Sequence, residues 1–163
     1  MALALNGALG SACGIARERG GVVRARVTRP PKDTVRFTAP ASASRCARGG
    51  GVVLQGSTGG NGAIAWLRTP DSVAAVTWPV LQRGDTVSPR GVTTAVRYLL
   101  GDIAHGAAMD SGTVAVTRTA HTLTVRASGT GLEASIGRIT MEVTFEAVPV
   151  GAGLDTISCV PRW

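Results

Sequence analysis

Residues able to do chemistry are few in this chain, and their spacing argues against each reaction they could serve. His105 lies near Asp102, Asp110 and Ser111, so a Ser/His/Asp arrangement can be written down. No G-x-S-x-G elbow accompanies it, and the segment reads as a connection. His121 opens a candidate strand and is expected to face solvent. Glu142 and Glu146 project from one face of a strand, four residues and about 13 Å apart at 3.3 Å per residue. That exceeds the separation of roughly 6.5–9.5 Å used even by inverting glycosidases. A solvated face is the expectation for that pair.

Two glycine-rich stretches echo phosphate-binding loops. Gly51–Thr58 (GVVLQGST) carries Ser57 where the phosphate-binding lysine belongs, and a strand pattern follows it instead of a helix. Gly129–Ala134 (GTGLEA) likewise leads into a strand. Both read as turn and strand glycines. No CxxC or His–Cys spacing supports a metal, so the sequence predicts neither cofactor nor metal site, and no enzyme.

The elements expected to position these residues are strands. The 163 residues include 22 Gly and 8 Pro, with 17% charged and 4% aromatic. That composition is poor in the Glu, Lys and Leu of a helical bundle, yet too apolar for a disordered chain. Ile139, Met141, Val143, Phe145 and Ala147 alternate with Arg138, Thr140, Glu142, Thr144 and Glu146, the period of a half-buried antiparallel strand. Val23, Ala25 and Val27 alternate with Arg24, Arg26 and Thr28, and a short run follows at Thr34–Thr38 after the Pro30-Pro31 break. Further strands are expected at Val52–Gln55, Ala63–Arg68, Val73–Leu81, Val92–Leu100, Gly112–Arg118, Thr122–Ala127 and Thr156–Val160, with one short helix at Gly101–Met109. Gly112–Ala127 reads as a hairpin turning near Thr119–Ala120. Many short strands with Gly-rich turns predict an all-β fold, an antiparallel β-sandwich or small β-barrel with an extended basic N-terminal arm.

Charge divides the chain. The net charge is +7, and residues 1–50 hold nine cations against two acids, whereas 51–163 are neutral. The division predicts an apolar leader-like segment, basic arm and linker over 1–50, the linker being Ala39–Gly51, and an all-β domain over 51–163. The arm's partner-docking candidates are Arg17, Arg19, Arg24, Arg26, Arg29, Lys32 and Arg36. Sixteen of the seventeen cations are Arg, whose planar fork suits bidentate contacts to carboxylate or phosphate. Phe37 is the only aromatic among residues 1–50, too few for base stacking.

Three cysteines complete the inventory. Cys46 and Cys159 flank the expected β domain, and a bond between them would close it in an oxidising compartment. Cys13 is left over. The stretch GSAC at Gly10–Cys13 is similar to the small-residue stretch before a lipidated cysteine, without the usual charged residues ahead of it. With the strand-and-turn style of Asp110–Val148 and the cysteine clasp, the chain resembles the small all-β lipoproteins of bacterial envelopes. The resemblance implies lipidation at Cys13, a periplasmic or envelope location, and a binding or structural role.

The function expected is that of a non-catalytic extrinsic subunit on the periplasmic side of a membrane assembly, of respiratory or photosynthetic type. Its arm would dock on other subunits or anionic lipid headgroups. Two alternatives stand beside it. One is a small coat protein whose basic arm binds nucleic acid. The other is a small-ligand-binding barrel lined by Trp66, Trp78 and Tyr98.

Overall fold

The structure, a computed structural model, describes residues 20–31, 33–47, 51–68, 75–85 and 87–159. Among these residues ten strands occur in chain order: β1 Gly21–Arg29, β2 Asp33–Cys46, β3 Val52–Thr58, β4 Asn61–Arg68, β5 Ala75–Pro79, β6 Gly91–Leu100, β7 Ile103–Arg118, β8 Thr122–Glu133, β9 Gly137–Pro149 and β10 Thr156–Ile157. Eight of them form a closed antiparallel up-and-down barrel, β1-β2-β3-β4-β6-β7-β8-β9, which β1 and β9 close. Of the two expected architectures, the barrel is the one formed.

Alternation builds the interior. Val23, Ala25 and Val27 of β1 and Ile139, Met141, Val143 and Phe145 of β9 are all buried, while the residues between them face outward. An eight-stranded barrel is just wide enough for side chains to fill it. Tyr98, Phe145, Leu54, Leu67, Met109 and Met141 do so, each fully buried.

Two bulges adjust the staves. At Ala147 the φ is +49°, and the register of β8 against β9 shifts between Leu123 and Val125. Ala147 therefore turns out to solvent and Val148 takes the buried place, so the strict alternation expected through residue 147 stops at Phe145. In β7 the register shifts between Met109 and Ser111. Here Gly112 (φ +130°) and Gly129 lie opposite each other, and a Cβ on either would run into the carbonyl oxygen of Ser128 or Ser111. Beyond this bend β7 leaves β6 and pairs with β5 through Thr113–Thr117.

Three expectations are corrected. Gly101–Met109 is not a helix: Gly101 (φ +57°) turns the chain, and Ile103–Ala108 pairs with β6. Ala39–Cys46 is not linker. It continues from Asp33 as one strand, because Ala39 and Ala41 are small enough to pack inside and β1 and β3 take up its ladder. The division of the chain at residue 50 fails for the same reason, since β1 and β2 are staves of the barrel and not part of an arm. The hairpin of Gly112–Ala127 and the Pro30-Pro31 turn form as expected.

Candidate functional site

The β1–β2, β3–β4, β6–β7 and β8–β9 turns gather at one end of the barrel, and a polar cluster fills that mouth. Arg29 ends β1, Tyr98 lies near the end of β6, His105 near the start of β7, and Glu133 ends β8. Each is in phase with the buried residues of its own strand, so each turns inward. Glu133, 3% exposed, is the centre.

Arg29 approaches Glu133 as a fork, Nε to Oε2 and Nη2 to Oε1, both at 3.1 Å. Ser135 Oγ donates to Oε1 at 2.6 Å, and the Tyr98 hydroxyl donates to Oε2. His105 Nδ1 lies 2.8 Å from Oε1, and its ring stacks on Tyr98 with centroids 5.6 Å apart. Facing an ionised carboxylate, which only accepts, Nδ1 carries the proton. Arg29 also lies over the Tyr98 ring, 5.9 Å from its centroid, and reaches Asp33 Oδ2 at 3.4 Å.

Burial by itself would raise the Glu133 carboxyl. The hydrogen bonds from Arg29, Ser135, Tyr98 and His105 override it and hold the group down at about 2. The Tyr98 phenol is pushed well above its ordinary range by burial and by the neighbouring carboxylate. Five donor contacts saturate the roughly four lone-pair positions of a carboxylate. Glu133 thus has no free lone pair with which to take a proton from a substrate, and no proton to give. The cluster ties β1, β6, β7 and β8 together across the mouth, as a buried ion pair with full hydrogen bonding can.

Sequence reasoning passed over Glu133. The signal was present: Leu123, Val125, Ala127 and Gly131 set the buried phase of β8, and Glu133 falls on it. Arg29 falls on the phase of Val23, Ala25 and Val27 in the same way.

The candidate residues named from sequence separate in the structure. Arg24 pairs with Glu146 and Arg26 with Glu142 (3.7 Å) across the β1–β9 ladder, exposed on the outer wall. With Arg29 bound to Glu133, three of the docking arginines are engaged within the chain. Arg36 is exposed on β2. Cys13, Arg17, Arg19 and Lys32 lie outside the described residues. Cys46 and Cys159 form the expected disulfide, at the end of the barrel opposite the charged mouth, and β10 pairs in parallel with Arg45 and Cys46 beside it.

His105 meets Glu133 rather than Asp102, and Ser111 bonds Thr130 (2.8 Å), so no Ser/His/Asp triad assembles there. Among the described residues no cluster of three or more potential metal ligands occurs. The three aromatic candidates do not line a common cavity. Tyr98 is in the mouth cluster, Trp66 carries the Arg68 guanidinium 4.4 Å from its ring centroid, and Trp78 packs from β5 against the core.

The outer wall is uneven. On β1, β2, β8 and β9 it presents Arg, Thr, Glu and Ser, the inverse of the apolar-out pattern of a membrane-spanning barrel. On β4, β6, β7 and β8 a row of directly paired residues, Ile64–Ala95–Ala108–Leu132, is apolar from end to end. Leu132 is 61% exposed, and Ile103 (66%) and Ile136 stand at the adjacent rim. Four of the five exposed large hydrophobics among the described residues fall in this region. Two shallow depressions, of about 570 and 680 Å³, meet at Ala95 and Val96, floored by small residues including Gly62, Ala63, Gly106 and Ala107.

No protein family, curated protein or solved structure matches the chain.

Proposed function

We propose that this protein is a non-catalytic docking subunit, carried on the periplasmic side of a membrane assembly and bound to another protein subunit through the outer wall of β4, β6, β7 and β8. The observation that carries the reading is the concentration of exposed apolar side chains on that wall, in a barrel whose interior is filled by its own residues. Contiguous exposed apolar surface on a soluble fold marks an interaction site. The small residues let a partner approach the strands closely, and Ile64 and Leu132 line the two depressions beside polar groups of Gln55, Arg97 and Asp110. The disulfide fits an oxidising compartment. Lipidation at Cys13 would hold the barrel at the membrane surface.

This reading moves the docking surface away from Arg24, Arg26 and Arg29. Their charges are met by Glu146, Glu142 and Glu133, which also weakens the nucleic-acid alternative.

The test is site-specific photo-cross-linking of the full chain in native membranes. A cross-linker at Leu132 or Ile64 is expected to give one reproducible protein adduct, and the same group at Arg126 none. Leu132→Asp should abolish retention in the assembly without moving the unfolding temperature. Lipid adducts alone, or equal adducts from both walls, would overturn the proposal.

A further inference from the structure

Strand β2 has an open side. Over Asp33–Ala41 it pairs with β1, and over Ala41–Arg45 with β3. On the β3 side, no described strand pairs with Asp33–Pro40. Alternate residues of an antiparallel strand direct their backbone groups to opposite sides. Half of the N–H and C=O groups of Asp33–Ala39 therefore point away from β1 with no ladder partner among the described strands. Pro40, in the middle of β2, fits an open flank, since a strand proline is tolerated where its missing N–H has no ladder to serve. Along this edge Phe37 is buried and Val35 packs against the core, while Arg36 and Thr38 face solvent. Arg36 makes no ion pair with a described residue, unlike Arg24, Arg26 and Arg29 on β1.

We infer that Asp33–Ala39 is a strand-addition site for an extended segment of a partner protein, one that sets an acidic residue outward opposite Arg36 and apolar residues inward beside Val35 and Phe37. Main-chain hydrogen bonds supply affinity in such additions, and the alternating side chains supply selectivity. A second copy of the chain is a poor occupant. Antiparallel pairing of the edge with itself, centred on Arg36 in the middle of Asp33–Ala39 so that the most ladder bonds form, opposes the two Arg36 side chains, with Arg26 in register behind each, and like charges opposed across strands are destabilising. The inference rests on the docking reading only in taking the partner to be a protein, and it uses a different part of the surface.

The test employs the full, disulfide-bonded chain and two octapeptide probes, (Val-Glu)4 and (Val-Lys)4, read by amide hydrogen exchange along β2 and by equilibrium binding. (Val-Glu)4 is expected to slow exchange within Thr34–Thr38, and its backbone N-methylated form to have no effect. Arg36→Glu should weaken (Val-Glu)4 by about fivefold, the upper range for one cross-strand ion pair, and favour (Val-Lys)4 instead. Arg36→Gln, with an unchanged unfolding temperature, serves as the folded control and should bind both probes alike. Absence of slowed exchange in β2, equal slowing by both probes, or a dimer in sedimentation abolished by (Val-Glu)4 would each overturn the inference. Leu132→Asp should leave the peptide effect intact, so the two surfaces stand or fall separately.

Discussion

Arg29 and Glu133 meet as a fork on a carboxylate inside the barrel mouth, two hydrogen bonds of 3.1 Å joining residues 104 positions apart. Their side chains are only 11% and 2% exposed, so neither charge has bulk water to fall back on. Removing the charge of Glu133 leaves the buried Arg29 with only the exposed Asp33, 3.4 Å away, as counter-charge, at a cost of up to roughly 3–5 kcal/mol. Glu133→Gln is therefore expected to lower stability by about that much in urea titration. The double variant Arg29→Met/Glu133→Gln should lose distinctly less than Glu133→Gln alone, because it leaves no orphan charge and keeps an acceptor for Tyr98, His105 and Ser135.

The same carboxylate sets an acid limit. Its folded value of about 2 lies below the ordinary 4.5, so the ionised form is favoured by folding. That contribution is complete above the unfolded value and is lost as pH falls from about 4.5 to about 2. The unfolding temperature of the wild-type chain should decline across this window, and that of Glu133→Gln should decline less. Tyr98 works in the opposite direction. Its folded value is raised, so its contribution is complete below pH 10 and disappears as pH rises beyond. Tyr98→Phe should flatten the alkaline limb of the same curve.

The disulfide spans 113 residues of chain. In the chain-entropy account a loop of that size contributes about 4–5 kcal/mol, as an upper expectation. Reduction, or Cys159→Ser, should lower the unfolding temperature, with amides of β10 and of Arg45–Ala47 exchanging first. Arg45 N–H donates to Asp155 O at 2.8 Å and Ala47 N–H to Ile157 O at 2.9 Å, so exchange at these positions reads the docking of β10 directly.

Ala147 is in left-handed backbone on the solvent side of the β9 bulge. An alanine there is strained by roughly 1–2 kcal/mol relative to glycine, and glycine loses part of that gain to its freer unfolded chain. Ala147→Gly is expected to stabilise the protein by about 0.5–1 kcal/mol in thermal or urea unfolding. Ala147→Val should destabilise it.

The regular staves were legible because their two phases differ sharply: Val, Ile and Met against Arg, Thr and Glu in β1 and β9. The alternation in residues 39–46 was obscured by small side chains. Ala39, Ala41, Ser44 and Cys46 are buried, yet Ala and Ser look like linker composition when no larger apolar residue marks the face. His105-Gly-Ala-Ala hid the start of β7 in the same way, since alanine favours helix and only pairing with β6 decides otherwise. The apolar row was hidden for a different reason. Ile64 and Leu132 are 68 positions apart in sequence, and only the cross-strand register brings them into line. The Cys46–Cys159 bond was readable because two cysteines flanked one run of strands.

The two ends of the barrel are held by unlike means, a hydrogen-bonded carboxylate at one and a sulfur–sulfur bond at the other. Protons act on the first and electrons on the second. Acid alone loosens the charged mouth while β10 stays clasped to β2, and a reductant alone frees β10 while the mouth keeps its hydrogen bonds. Only an environment both acidic and reducing removes both restraints, so the stability lost to acid and the stability lost to reduction are separate quantities that fall on opposite ends of one closed ladder.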